Sequence, residues 1–178
     1  MYIETEVKLK INSPAETEQK LNELGAEFVA EQLQTDYFFD DANASLTMTD
    51  RCLRLRRQTA ADNKRFFLTY KGPKEQSNFK KRQEIEIEIK QEQAAQKLLS
   101  ALGYEQILVI EKNRRLWHLG GCSVALDRLP LLGDFIEIEG PDDKTIAEVQ
   151  KSLGLANLSH IAKSYARLTR EKRAGRDT

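Results

Sequence analysis

The sequence predicts an α+β chain: an eight-stranded antiparallel β-barrel with a charged interior and helices packed on its outside. Three observations lead to its strands, its charged face and its helices; closure into the barrel rests on the motifs set out below. Eight segments alternate apolar and polar residues with the period of two that marks a strand. In most of them the polar face carries ionisable groups of both signs. Between them lie stretches of helical period that offer one apolar face and end at glycine.

The elements follow in order. Residues 2–11 place Glu4, Glu6, Lys8 and Lys10 on one face and Ile3, Val7, Leu9 and Ile11 on the other. Ser13-Pro14-Ala15-Glu16 has the form of a capping box with proline at the first helical position. Leu21, Leu24 and Phe28 give that helix its apolar face, and Gly25 stops it. Strands are expected at 33–40, Leu53–Arg56 and Phe66–Lys71. The stretch 82–90 sets Arg82, Glu84, Glu86, Glu88 and Lys90 against Ile85, Ile87 and Ile89. A helix over 92–102 carries Ala95, Leu98, Leu99 and Leu102 before Gly103. The last three strands are 107–119, with Lys112 and Arg114 on one face, 122–128, with Asp127, and 134–139, with Glu137 and Glu139. A helix over 143–153 precedes Gly154, and a final helix spans about 160–173 with Ile161, Tyr165 and Leu168 on one stripe. The polar stretches 40–51, 58–65 and 72–81 read as loops, and 171–178 as a basic, disordered tail. Three times a Glu-x-Glu strand leads to a helix that ends in Leu-Gly. This is either a duplicated strand–helix unit or a coincidence of short matches.

Composition narrows the function. The chain has 178 residues, with 28 Lys plus Arg against 28 Asp plus Glu, so its net charge is zero. That length suits one domain with a core of its own. At 40% hydrophobic residues it is not a disordered chain. No apolar run reaches the ~18 residues of a membrane span. The opening MYIETEVKLK lacks the apolar core of a signal peptide. Two cysteines, Cys52 and Cys122, point to a reducing, cytoplasmic setting and small structural roles. The neutral balance gives no support to nucleic-acid binding. There is no Walker loop, no GxGxxG and no Ser/His/Asp or Cys/His set. His118, His160 and Trp117 read as structural or surface residues.

Strand by strand, an open sheet with one wet face explains the charges better than a barrel does. Together they read differently. A barrel interior would gather Glu4, Glu6, Glu84, Glu86 and Glu88 with Asp127, Glu137 and Glu139. Its bases would be Lys8, Arg54, Arg56, Lys71, Arg82, Lys112 and Arg114. Buried charges need partners. This set suits a polyanion held by the bases and divalent cations held by the acids. Oxygen-only ligands favour Mg2+ or Mn2+ over zinc.

The motifs also resemble a known family. Glu4-x-Glu6-x-Lys8 resembles the ExExK signature of CYTH-domain proteins, the triphosphate tunnel metalloenzymes. Six further motifs follow in order: Leu53-Arg54-Leu55-Arg56; Tyr70-Lys71-Gly72-Pro73; Arg82-x-Glu84-x-Glu86; Glu111-Lys112-x-Arg114; Asp127 with Leu132-Gly133-Asp134-Phe135-x-Glu137-x-Glu139; and Lys163-Ser164-Tyr165. The resemblance covers about residues 1–168 and makes 1–170 one CYTH-like domain. Leu-Gly-Asp-Phe-x-Glu, Lys-Gly-Pro and Ile-Glu-Lys-x-Arg look most like the class IV adenylyl cyclase branch.

The resemblance implies an eight-stranded tunnel that binds a triphosphate with Mg2+ or Mn2+. The reaction is ATP to cyclic AMP and pyrophosphate, or hydrolysis of tripolyphosphate or thiamine triphosphate. A non-catalytic polyphosphate- or nucleotide-binding module is the remaining alternative. Glu4, Glu6, Asp127 and Glu137 are the implied metal ligands, with Glu139 a further candidate. Glu84 and Glu86 either join them or orient the arginines. Lys8, Arg54, Arg56, Lys71, Arg82, Lys112 and Arg114 are expected to grip phosphate, Arg as a planar fork and Lys as a point charge. Glu4, Glu6, Lys8, Lys71 and Lys112 form the expected catalytic set. Alternation turns Arg57 and Arg115 outward. The segment 72–81 is either a lid with Lys74, Lys80 and Lys81 or a plain hairpin. Ser164 and Tyr165 match the family's C-terminal motif, while Tyr165 equally suits core packing. The expected partner is a small triphosphate, with no nucleic acid and no membrane; apolar outer faces leave room for a homodimer.

Overall fold

In a computed structural model of the chain, which describes residues 2–61, 63–75 and 79–175, eight strands close into one antiparallel barrel. They are β1 (Tyr2–Lys10), β2 (Glu27–Asp40), β3 (Cys52–Ala60), β4 (Asn63–Lys74), β5 (Lys80–Ile89), β6 (Glu105–Leu119), β7 (Cys122–Leu129) and β8 (Gly133–Glu139). The order around the barrel is β1-β5-β4-β3-β2-β6-β7-β8. Closure removes every sheet edge and gives the strands two unlike surfaces.

Among the described residues five helices accompany the barrel, most of them on its outer surface. They are α1 (Pro14–Glu23), α2 (Ser45–Met48), α3 (Glu92–Ala101), α4 (Asp143–Ser152) and α5 (Tyr165–Ala174). Val7, Leu9, Ile136 and Ile138 point outward from β1 and β8 and meet Leu21 of α1 and Ile146 and Val149 of α4. Leu9, Ile136 and Ile138 are fully buried, each worth ~1.5–3 kcal/mol of burial. Leu99 of α3 packs on Phe39 and Leu55 from β2 and β3. Ser13 caps α1 by accepting from the Glu16 N–H at 3.2 Å, as the capping box predicts.

The three strands of the Leu-Gly echo, β5, β1 and β8, are neighbours in the barrel. Each following helix ends the same way. Gly25, Gly103 and Gly154 have φ of 71°, 85° and 75°, and the next residue's N–H reaches back to Leu21, Leu99 or Gln150 at 2.9–3.0 Å. Positive φ at that position is what calls for glycine.

Several boundaries differ from expectation. β2 starts six residues before 33; a bulge between Phe28 and Ala30 breaks its alternation. The stretch 58–65 is ladder on both arms of the β3–β4 hairpin, from the Gln58–Arg65 pair to Ala60–Asn63. The expected loop 72–81 is largely strand, with Gly72–Lys74 in β4 and Lys80–Lys81 in β5; Gln76–Asn78 lie outside the described residues. The last helix begins at Tyr165, because 160–164 are irregular, the Ile161 N–H donates to the Lys8 carbonyl at 2.8 Å and Ser164 caps the helix. It continues to Ala174, so 171–174 are helical, and 176–178 lie outside the described residues.

One helix is not an outer one. Leu108, Ile110, Leu129 and Phe135 continue the inward parity of Lys112, Asp127 and Glu137. They cluster with Tyr165, Ile161 and Leu168, so α5 and the strap before it seal one apolar part of the barrel interior. Among the described residues no helix is long and apolar enough to cross a membrane.

Candidate functional site

The alternation that sends Val7 and Leu9 outward sends Glu4, Glu6 and Lys8 inward, and all three are buried. Antiparallel pairing then fixes their neighbours. Glu4 stands across from Arg82 and Glu6 from Lys80 on β5. On the other side Glu6 faces Glu139 and Lys8 faces Glu137 on β8. These residues line a cavity of about 620 Å³. All seven expected phosphate-gripping bases line it too, as do Glu84 and Glu86. Two expected lining acids do not. Glu88 sits in the open, in a bidentate pair with Arg65 at 2.7–2.9 Å. Asp127 lies behind the bases.

Nearly every cavity charge is closed on an opposite one. Lys71 lies between Glu4 and Glu84, at 2.7 Å from each. Lys80 pairs with Glu6, and Lys8 with Glu137 at 3.3 Å. Arg54 reaches Asp36 at 3.8 Å, Glu86 at 3.5 Å and the Thr69 hydroxyl at 3.2 Å. Thr69 in turn donates to Glu86 at 2.8 Å, so Glu86 contacts Arg54 both directly and through Thr69. Arg56 grips Asp36 with both arms, at 2.6 and 2.9 Å. Lys112 (3.0 Å) and Arg114 (2.6 and 2.7 Å) hold both oxygens of Asp127, and Arg114 also reaches Glu137. Asp127, expected as a metal ligand, here meets Lys112 and Arg114.

Arg82 differs from the other bases. Its Nε donates to the Gly72 carbonyl at 2.8 Å and its Nη2 to the Asp50 carbonyl at 2.7 Å. Two of its three nitrogens therefore hold backbone. The lysines of 72–81 are tied as well, Lys74 to Asp50 and Lys81 to Asp143. Arg57 and Arg115 point outward as expected, toward Glu92 and Glu18.

The charges shift one another. Burial raises the Asp36 carboxyl, but Arg56 and Arg54 outweigh it and hold the group well below the usual carboxylate range. Burial and Arg114 bring Lys112 down to about 8. Burial, with Glu4 and Glu6 opposite, pushes Glu139 up to about 7. Glu139 makes no ion pair with any described residue. Six cavity carboxylates, Glu4, Glu6, Glu84, Glu86, Glu137 and Glu139, thus share the β5–β1–β8 wall. Among the described residues no three acidic, His or Cys groups stand together as a ready metal site. The donor chemistry nevertheless fits a hard divalent cation: all oxygen, and repelling one another at Glu139. Glu4 and Glu6 would exchange Lys71 and Lys80 for it.

Asp36 escaped the sequence reading of the site, while Lys80 was read only as part of a lid and Tyr165 only as part of a motif or the core. Lys80 is hidden in the run Lys80-Lys81-Arg82, yet it has the parity of Glu84. Asp36 follows Gln32 and Gln34 at period two, so the inner face was legible there.

The sequence profile of the CYTH domain matches residues 2–165. The chain belongs to the CYTH domain family. A Methanocaldococcus jannaschii protein described as a "putative adenylate cyclase" is 31% identical to it over 175 residues, covering 93% of this chain and 98% of that one. A solved Pyrococcus horikoshii structure, of the PH1819 protein, is 31% identical with a TM-score of 0.82, covering 95% of this CYTH chain and 99% of that chain. A Hippeastrum structure described as a "putative adenylyl cyclase" with a dominant triphosphatase activity shares the CYTH barrel at 20% identity and a TM-score of 0.72, covering 94% of this chain and 95% of that one.

Proposed function

We propose that this CYTH barrel is a divalent-metal-dependent enzyme acting on a triphosphate, in the manner of a class IV adenylyl cyclase. The observation that carries the reading is the buried array of alternating acids and bases around one cavity. A purely structural role would favour apolar residues there, because buried ion pairs rarely repay their desolvation. A triphosphate and a divalent cation give each half of the array a better partner.

Lys8, Arg54, Arg56, Lys71, Lys112 and Arg114 would bind the phosphate oxygens, with Lys80 beside them. Glu4, Glu6, Glu137 and Glu139 would hold Mg2+ or Mn2+. When bound, the cation supplies charge at the phosphate oxygens and at the attacking hydroxyl. The bases stabilise the negative charge that grows on the leaving pyrophosphate. The buried walls exclude bulk water from the array. Phe38, Leu53 and Ile107 give the cavity an apolar side that suits a nucleoside. The two free cysteines suit a cytoplasmic enzyme.

Hydrolysis of tripolyphosphate or thiamine triphosphate in the same cavity is the second reading. The Hippeastrum protein's described activity supports it on the same fold. Phosphorus NMR of the protein with ATP, thiamine triphosphate or tripolyphosphate, each with Mg2+ or Mn2+, separates the two. Cyclic AMP with pyrophosphate supports the cyclase. Orthophosphate with ATP untouched selects the hydrolase. No turnover of any of them overturns both.

A further inference from the structure

We propose that Tyr165 is the positioning residue for Lys8 and Lys112: its aromatic face holds both ammonium groups in the array that receives the triphosphate. The inference rests on the reading of those lysines as phosphate ligands.

Lys8 Nζ lies 4.0 Å from the Tyr165 ring centroid and Lys112 Nζ 4.9 Å. Both lysines are only 3% exposed and the tyrosine 8%, so the cation–π contacts are desolvated and strong. The ring is itself fixed, edge-to-face on Phe135 with centroids 5.2 Å apart. The strap that delivers it is tied to β1 twice. The Ile161 N–H donates to the Lys8 carbonyl at 2.8 Å, and Lys8 Nζ donates to the Lys163 carbonyl at 3.2 Å. Ser164 then caps α5 and starts the helix at Tyr165.

The hydroxyl faces the Asp127 carboxylate, not either lysine. It is buried and makes no hydrogen bond of normal geometry with any described residue. The ring is what meets the lysines. Each lysine has one carboxylate partner, Glu137 for Lys8 and Asp127 for Lys112. A flexible ammonium on one carboxylate is poorly fixed. When phosphate oxygens take over from those carboxylates, the ring remains, and it keeps two like charges side by side.

The test uses Tyr165→Phe, Tyr165→Leu and Tyr165→pentafluorophenylalanine. The fluorinated ring keeps shape and burial but reverses the charge of the aromatic face. Calorimetry with tripolyphosphate and Mg2+ gives the affinity, and a thermal melt checks the fold. Tyr165→Phe is expected within about twofold of the parent. Tyr165→pentafluorophenylalanine is expected to bind about tenfold more weakly at a melting temperature like that of Tyr165→Phe, and Tyr165→Leu to fall at least as far. Equal binding by the fluorinated and Phe variants would overturn the proposal, since the ring would only be filling space. A Phe variant as weak as Leu would overturn it too, since the hydroxyl would be responsible. A second readout does not depend on binding. Two lysine ε-methylene signals should be shifted upfield by the ring in the parent and the Phe variant. If the parent binds no tripolyphosphate, the proposed function fails, and these shifts alone decide whether the ring holds the lysines; their absence overturns the inference.

Discussion

Asp36 stands between two arginines that the proposed reaction uses, and it binds both while buried. Its carboxyl is held below the ordinary range, so the folded state is favoured by keeping it ionised. That contribution is full above its unfolded value of ~3.9 and is lost as pH falls through its lower folded value. Asp36→Asn should cost ~3 kcal/mol near neutral pH, by leaving Arg54 and Arg56 short of a partner. The gap in melting temperature between Asp36→Asn and the parent should be flat from about pH 7 to 5 and narrow below about pH 4. A gap that holds or widens in acid would contradict the assignment. Arg82 tests a different assignment. Because Nε and Nη2 hold the carbonyls of Gly72 and Asp50, Arg82→Lys should lose ~1–3 kcal/mol of stability. Its affinity for tripolyphosphate should change less than about threefold. Unchanged melting with a large loss of affinity would instead put the guanidinium on phosphate.

Elements were the most legible part of the sequence. Period two marks β1, β5 and β8 because their two faces meet different surroundings, an apolar helix layer and a charged cavity. The pattern fails where that contrast fails. Around Phe28 a bulge and half-exposed outer residues blur the start of β2. At 160–164 the backbone pairs with β1, and apolar spacing alone does not reveal such pairing. Two glycines, the helix stop Gly154 and Gly140 after β8, give predictions of different size. At Gly154 an added Cβ meets nothing within 4 Å, so Gly154→Ala carries only the cost of positive φ, ~1 kcal/mol. At Gly140 the added Cβ would lie 2.7 Å from Cys122 Sγ and 2.9 Å from Ile146. Gly140→Ala should therefore lower the melting temperature by more than the ~2–4 °C expected at Gly154. Thermal melts of the two variants check the order, and the reverse order would contradict this packing.

Across the whole molecule the inward charges are mixed but uneven, with Lys8, Lys80 and Arg82 standing among the acids of one wall. Glu4, Glu6, Glu84, Glu86, Glu137 and Glu139 share the β5–β1–β8 side, while Arg54 and Arg56 on β3 and Lys112 and Arg114 on β6 face them. The ordered motifs made both sides visible in the sequence. Which acid pairs with which base was not visible, because register and shear decide it; Asp127 moved behind the bases for that reason. The proposed binding is an exchange of partners: phosphate for the carboxylates on the bases, and a cation for the lysines on Glu4 and Glu6. Calorimetric titration of tripolyphosphate, with Mg2+ and with EDTA, tests this most directly. The exchange predicts saturable one-to-one binding that Mg2+ strengthens, that Lys112→Ala weakens by about tenfold or more, and whose Mg2+ dependence fades in Glu6→Gln. No saturable binding in either condition, or equal affinity in all three proteins, would contradict it.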